Sequence, residues 1–108
     1  MTKARAITAR NSVAQQMRQV WIDAKLCIGD GTINRSDLVV AFDISIQQAS
    51  HDLTAYRASN PKAVDYDLST KCYRRHKGGK PAYPQHLRLS VTNAVRALRI
   101  FNEMEESV

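Results

Sequence analysis

The sequence predicts a mainly α chain with one small β-hairpin, an α+β fold, and three observations carry that expectation. Apolar residues recur at helical spacing in four stretches. In "AVDYDLSTKCYRR" the period shortens: Val64 and Tyr66, a polar turn near Asp67 to Lys71, then Cys72 and Tyr73. Joints bearing Gly, Pro or Asp separate these stretches. A length of 108 residues suits one domain with a modest core.

Residues 1–10 read as a basic arm ahead of the fold. Ser12, with Gln15 three residues on, forms a capping-box start for the first helix. Val13, Met17, Val20, Trp21, Ala24, Cys27 and Ile28 give that helix one apolar face. "GDG" ends it, because Gly29 and Gly31 suit left-handed caps and turns. "TIN" is a short extended segment, and "RSDLVVAF" a compact second helix with Ser36 as its cap and Leu38, Val39 and Phe42 inward. Asp43 stands where the chain turns sharply, in a conformation Asp tolerates. Ser45 opens the third helix, Gln48 completes a second capping box, and Pro61 stops the helix near Asn60. After the hairpin comes the loop "HKGGKPAYP", and from about Gln85 a last helix carries Val91, Ala94, Val95, Leu98 and Phe101 on one face. The expected division is a basic arm over 1–10, a compact domain over 11–80 and a C-terminal helix over 81–108.

Composition narrows the function classes. Charged residues at 24% and hydrophobic ones at 44% are an ordinary globular balance. A net charge of +6 and a pI near 9.7 favour a polyanionic partner. Between Pro61 and Lys80 lie Lys62, Lys71, Arg74, Arg75, Lys77 and Lys80 against Asp65 and Asp67, whereas the tail "EMEESV" is acidic. No apolar run is long enough for a membrane span, and "MTKARAITARNS" lacks the apolar core of a secretory leader. Cys27 and Cys72 form no CxxC pair and read as buried free thiols of a cytoplasmic protein. His76 and His86 lack metal spacing with either cysteine. Asp65 and Asp67 suit turn formation as well as acid–base work, and "GGK" is not a phosphate loop. No catalytic constellation stands out, so no enzyme, cofactor, metal or small-molecule ligand is expected.

The third helix carries the functional signal. On a helical wheel Ile46, Ala49, Leu53 and Tyr56 share one side, and Gln47, Ser50, His51, Thr54 and Arg57 the other. A merely solvated face would favour Glu and Lys as helix formers. Short or planar hydrogen-bonding groups suit base edges and phosphates in a major groove instead. Ser45 is an N-cap first, with any phosphate contact secondary, and Gln48 fits capping and DNA contact equally. Two short helices about a tight turn, the second polar outside, make a helix-turn-helix. A basic hairpin with Lys71, Arg74 and Arg75 makes it a winged one, with an additional C-terminal helix. Tyr56, Tyr66 and Tyr73 read as core and hairpin packing.

The segment "INRSDLVVAFDISIQQASHDLTAYRASNPKAVDYDLSTKCYRR" resembles the N-terminal winged helix-turn-helix of WYL-domain transcriptional regulators, including those of bacterial anti-phage defence islands. The matching pieces are "INRSDL", "F-x-IS-x-x-QAS-x-DL", the Tyr after it and "YD-x-S-x-K-x-Y", between Ile33 and about Arg75. The resemblance implies DNA binding, with Ser45, Gln47, Gln48, Ser50 and His51 at the start of the reading helix and Lys71 as a backbone contact near the hairpin tip. Members of that family continue into a sensing WYL domain. This chain stops at Val108, so sensing is not carried over.

The last helix has more apolar surface than one stripe requires, since Ala97, Ile100 and Met104 form a second band. Ile22 likewise lies opposite the main apolar face of the first helix. Such surface suits a homodimer interface, expected at Ile22, Val95, Leu98, Ile100, Phe101 and Met104. The expectation is a dimeric, sequence-specific double-stranded DNA-binding regulator of the cytoplasm and nucleoid, repressing by promoter occlusion. The alternatives are a protein-interaction winged helix or an architectural or recombination-accessory DNA binder. The basic "YRRHKGGK" argues against the former.

Overall fold

The computed structural model describes residues 12–107, and the expected basic arm over 1–10 lies outside them. Among the described residues four α-helices and a three-stranded antiparallel sheet form, in the order α1 (Val13–Ile28), β1 (Thr32–Ile33), α2 (Arg35–Phe42), α3 (Ile46–Ser59), β2 (Val64–Asp67), β3 (Cys72–Arg75) and α4 (Gln85–Ser107). The mainly α fold with a small hairpin and a C-terminal helix is therefore present, in the winged helix arrangement.

Local chemistry sets the element ends. Ser12 and Gln15 make a reciprocal capping box at the start of α1. Gly29 caps its end at φ −85°, so Gly31, at φ +83°, is the residue that uses the left-handed region. The cap of α2 is Asn34, not Ser36. Its side chain accepts from the Asp37 amide, while Asp37 reaches back to the Asn34 amide, and Ser36 is already inside the first turn. Asp43 closes α2 in the left-handed conformation, at φ 54°. Ser45 caps α3 by accepting from the Gln48 amide. The expected second box is only half made, because the Gln48 side chain turns to Asp52 one helical turn on.

Strand order is β1-β3-β2, with Ile33 opposite Tyr73 and Tyr66 opposite Tyr73 on the other flank. The loop after β3 presses close to the chain before β2. A side chain at Gly79 would lie 3.0 Å from the Ala63 carbonyl oxygen.

Helix α1 is the central element, buried on two sides. Ile22 and Leu26 meet Ile33, Leu38, Ala49, Leu53, Tyr56 and Val64, while Val20 meets Val91 and Val95. Trp21 and Phe42 bridge the two clusters, ring edge to ring face at 5.5 Å. The single apolar face expected for α1 is corrected accordingly: its ends, Val13 and Ile28, are exposed. Ile22 is fully buried and is not available to a dimer interface. A helix sandwiched between two layers needs two apolar stripes, and Ile22 lies about 200° around from Val20.

Val95 is corrected too. At 4% exposure it belongs to the α1–α4 core, not to an outer surface. Leu98 and Phe101, expected both on that inward face and at the dimer contact, are more than half exposed, which excludes the inward placement alone. With 23 residues against 16 in α1, α4 is the longer by about 10 Å, so its last turns outrun the layer it packs on.

Candidate nucleic-acid interface

Helix α3 turns Ala49, Asp52, Leu53 and Tyr56 inward. Gln47, His51, Thr54 and Arg57 are exposed, and Ser50 is half-buried beside them. The structure thus brings together the polar face expected from the wheel. Gln48 departs from it: the residue is half-buried, and its amide nitrogen donates to Asp52 Oδ1 at 3.0 Å. The Ser45 hydroxyl oxygen serves as the cap, accepting at 3.0 Å. Neither side chain stands free on the outer face.

Two buried carboxylates fix this helix, and neither was singled out from the sequence. Asp52 receives Arg18 Nε at 2.5 Å and Arg18 Nη2 at 3.4 Å, and its carbonyl oxygen receives the Gln19 amide at 2.9 Å. Asp23, fully buried in α1, accepts from the Tyr56 hydroxyl and from the backbone amides of Ala82 and Tyr83, at 2.9 and 3.1 Å. Arg88 Nη1 of α4 lies 3.7 Å from the same carboxylate and donates to the Tyr83 carbonyl at 2.7 Å. One carboxylate therefore joins α1, α3, the loop before α4 and α4 itself. Burial, then the hydrogen bond to Asp23, pushes the Tyr56 phenol well above its ordinary value. Burial first and Asp23 second also raise Tyr83 and the Cys27 thiol. The available signal was an acid on an inward position of the wheel: Asp52 lies between Ala49 and Tyr56 on their side of α3.

The wing is less uniform than its basic composition suggests. Residues directly opposite in an antiparallel pair share a face. Val64, Tyr66, Tyr73 and Arg75 therefore lie on the core side of the sheet, and Asp65, Asp67, Cys72 and Arg74 on the other. Arg74 is across from Asp65 and 3.4 Å from Asp67. Arg75 donates to the Gly79 carbonyl at 3.2 Å, at the base of the hairpin. Lys71 sits at the turn in the left-handed conformation, φ 58°, and borders α3. Lys71, Arg74 and Arg75 thus do not form one cluster. Asp67 holds the turn by accepting from the Ser69 hydroxyl and amide, which keep its carboxyl low, at about 2. Leu68 projects at the tip, 81% exposed.

Arg35 was not expected at the site. From the first turn of α2 its Nη1 lies 3.4 Å from Ser50 Oγ, so it borders the polar face of α3. On α4, Leu98, Ile100, Phe101 and Met104 are each more than half exposed. Cys27 and Cys72 are free and half-buried, less enclosed than expected. Among the described residues no helix is long and apolar enough to cross a membrane, and no three His, Cys, Asp or Glu side chains gather as metal ligands.

A short helix, a left-handed Asp, a second helix with an outward polar face, and a hairpin beside it define a winged helix-turn-helix domain. The chain belongs to the BrxR transcriptional regulator winged helix-turn-helix domain family, which it matches over residues 14–101. Relatives named "DNA-binding transcriptional repressor CapW" include one from Escherichia coli (strain KTE188), 44% identical over 69 residues, or 64% of this chain and 23% of the relative. One from Pseudomonas aeruginosa is 39% identical over 70 residues, 65% of this chain and 23% of its own. One from Stenotrophomonas maltophilia is 36% identical over 91 residues, 84% of this chain and 27% of its own. The chain spans about a quarter of the length of the curated relatives it matches.

Proposed function

We propose that this chain is a sequence-specific, double-stranded DNA-binding module of a transcriptional repressor, acting as a homodimer on the nucleoid in the cytoplasm. The observation that carries the reading is the division of α3. Its inner face is anchored through Asp52 and Tyr56, while Gln47, His51 and Thr54 stand exposed on the outer one. A rigid helix with a row of hydrogen-bonding side chains matches what a major groove requires. The role is binding rather than catalysis, and the repressor names of the relatives support it. The resemblance to regulators of anti-phage islands makes such genes the natural targets.

Residues 81–108 supply the dimer contact through Leu98, Ile100, Phe101 and Met104. Pairing two reading helices about 34 Å apart places them one DNA turn from each other. The test is selection of bound fragments from a random duplex pool, followed by Gln47→Ala and His51→Ala. Each should cost about 1–3 kcal/mol on the selected site and less on random duplex. A pool with no enriched sequence would sink the reading. Equal losses on both duplexes would assign the two residues to phosphate contact.

A further inference from the structure

We propose that the groove between α3 and the wing grips the phosphodiester backbone of DNA, with Arg35, Tyr66 and Tyr73 joining Lys71 as its phosphate-binding groups. This rests on the DNA-binding function proposed above. The groove has a volume of about 400 Å³ and is lined by Arg35, Ser50, Thr54, Tyr66, Lys71 and Tyr73. All six side chains carry a hydrogen-bond donor, and no carboxylate among the described residues lines the groove.

Among the described residues, the two cations of the groove lack the aspartate partner that three other arginines have. Arg18, Arg74 and Arg88 each lie within 4.0 Å of an aspartate, at Asp52, Asp67 and Asp23. Arg35 makes only the long 3.4 Å contact to a neutral hydroxyl, and the Lys71 ammonium has no partner among the described residues. Two positive charges therefore face one groove without a counterion among the described residues.

The tyrosines add an independent argument. Tyr66 and Tyr73 are register partners whose rings pack at 4.8 Å, and both are half-buried. Phenylalanine would serve that packing equally. The hydroxyls have no acceptor among the described residues and are not enclosed, so both are free to donate to a ligand in the groove. A ligand rich in anionic oxygens satisfies all four groups together. The groove shares Ser50 and Thr54 with α3, so the strand bordering the bases under that helix is the one placed to enter it.

The experiment measures affinity of the full chain for its selected duplex and for random duplex across a salt series. Arg35→Gln and Lys71→Gln are surface changes, and each should lower the log–log salt slope by about 0.9 on both duplexes. Tyr66→Phe and Tyr73→Phe should leave the slope unchanged and weaken both complexes roughly tenfold. Neutralising single phosphates as methylphosphonates should reveal one position whose loss no longer matters in Arg35→Gln. If wild type prefers a sequence but Arg35→Gln and Lys71→Gln keep its slope, the groove proposal fails and the DNA-reading function stands. If wild type binds no duplex preferentially, the function itself fails. Saturation of the groove by inorganic phosphate alone at micromolar concentration, with duplex binding unaffected by Arg35→Gln, would make it a free-anion site and overturn the proposal.

Discussion

The Tyr56 hydroxyl, on the inner face of α3, donates to the carboxylate of Asp23, buried in α1 thirty-three residues earlier. The same carboxylate accepts the Ala82 and Tyr83 amides at the approach to α4. One side chain thus ties the seating of α4 to that of α3.

Removing that hydroxyl tests its weight. Tyr56→Phe should keep the fold and lose about 1.5–3 kcal/mol in urea denaturation, the range for a hydrogen bond to a charged group. Asp23→Ala should lose more, since it strands the phenol, two amides and Arg88 at once. The raised phenol favours the protonated folded state, so its stabilisation is present below the ordinary value of 10.0 and lost as pH climbs past it. Tyr56→Phe should flatten that alkaline decline. Equal alkaline loss in both proteins would contradict the assignment.

The Arg18–Asp52 pair should behave as a unit. Arg18→Met alone leaves a buried carboxylate under-compensated and should cost about 3–5 kcal/mol. Arg18→Met with Asp52→Leu should recover most of the loss, because an apolar pair needs no desolvation. Denaturation of the single and double variants measures the difference. Additive losses would show that the two residues are not coupled.

The wing should loosen in acid. The Ser69 hydroxyl and amide hold Asp67 at about 2, below its ordinary 3.8. The stabilisation is therefore complete above the ordinary value and disappears as pH falls through about 2. Amide shifts of Ser69 and Lys71 should follow that acid transition, and Asp67→Ala should abolish it. A hairpin indifferent to both changes would contradict the role of Asp67 at the turn.

The proposed dimer contact should be separable from the fold. Ile100 and Met104 are 51% and 59% exposed, so Ile100→Glu or Met104→Glu leaves the core intact. Either should give a monomer of unchanged helical circular dichroism that binds its site far more weakly, since a carboxylate in a desolvated interface costs several kcal/mol. Sedimentation decides it: a wild-type monomer at tens of micromolar would defeat the dimer.

What the sequence made legible was local. Ser12 with Gln15, Asp43, Ser45 and the stop before Pro61 act through hydrogen bonds or backbone restrictions within a few residues. The hairpin and the polar face of α3 were legible for the same reason, since periodicity reports which side chains share a side. It does not report what stands opposite. Ile22 reads as surface in the sequence, whereas α1 is packed on both sides. Leu98 and Phe101 fit both the inward face and the dimer contact by spacing, and α4 outrunning its support excludes the first. Arg74 and Arg75 read as one basic cluster with Lys71, but strand alternation and hairpin position divide them. Arg18 with Asp52, and Asp23 with partners 33 to 60 residues away, are pairings across the packed interior. Burying a charge is costly unless a distant partner arrives at hydrogen-bonding distance, and only the tertiary packing of these helices brings those partners together.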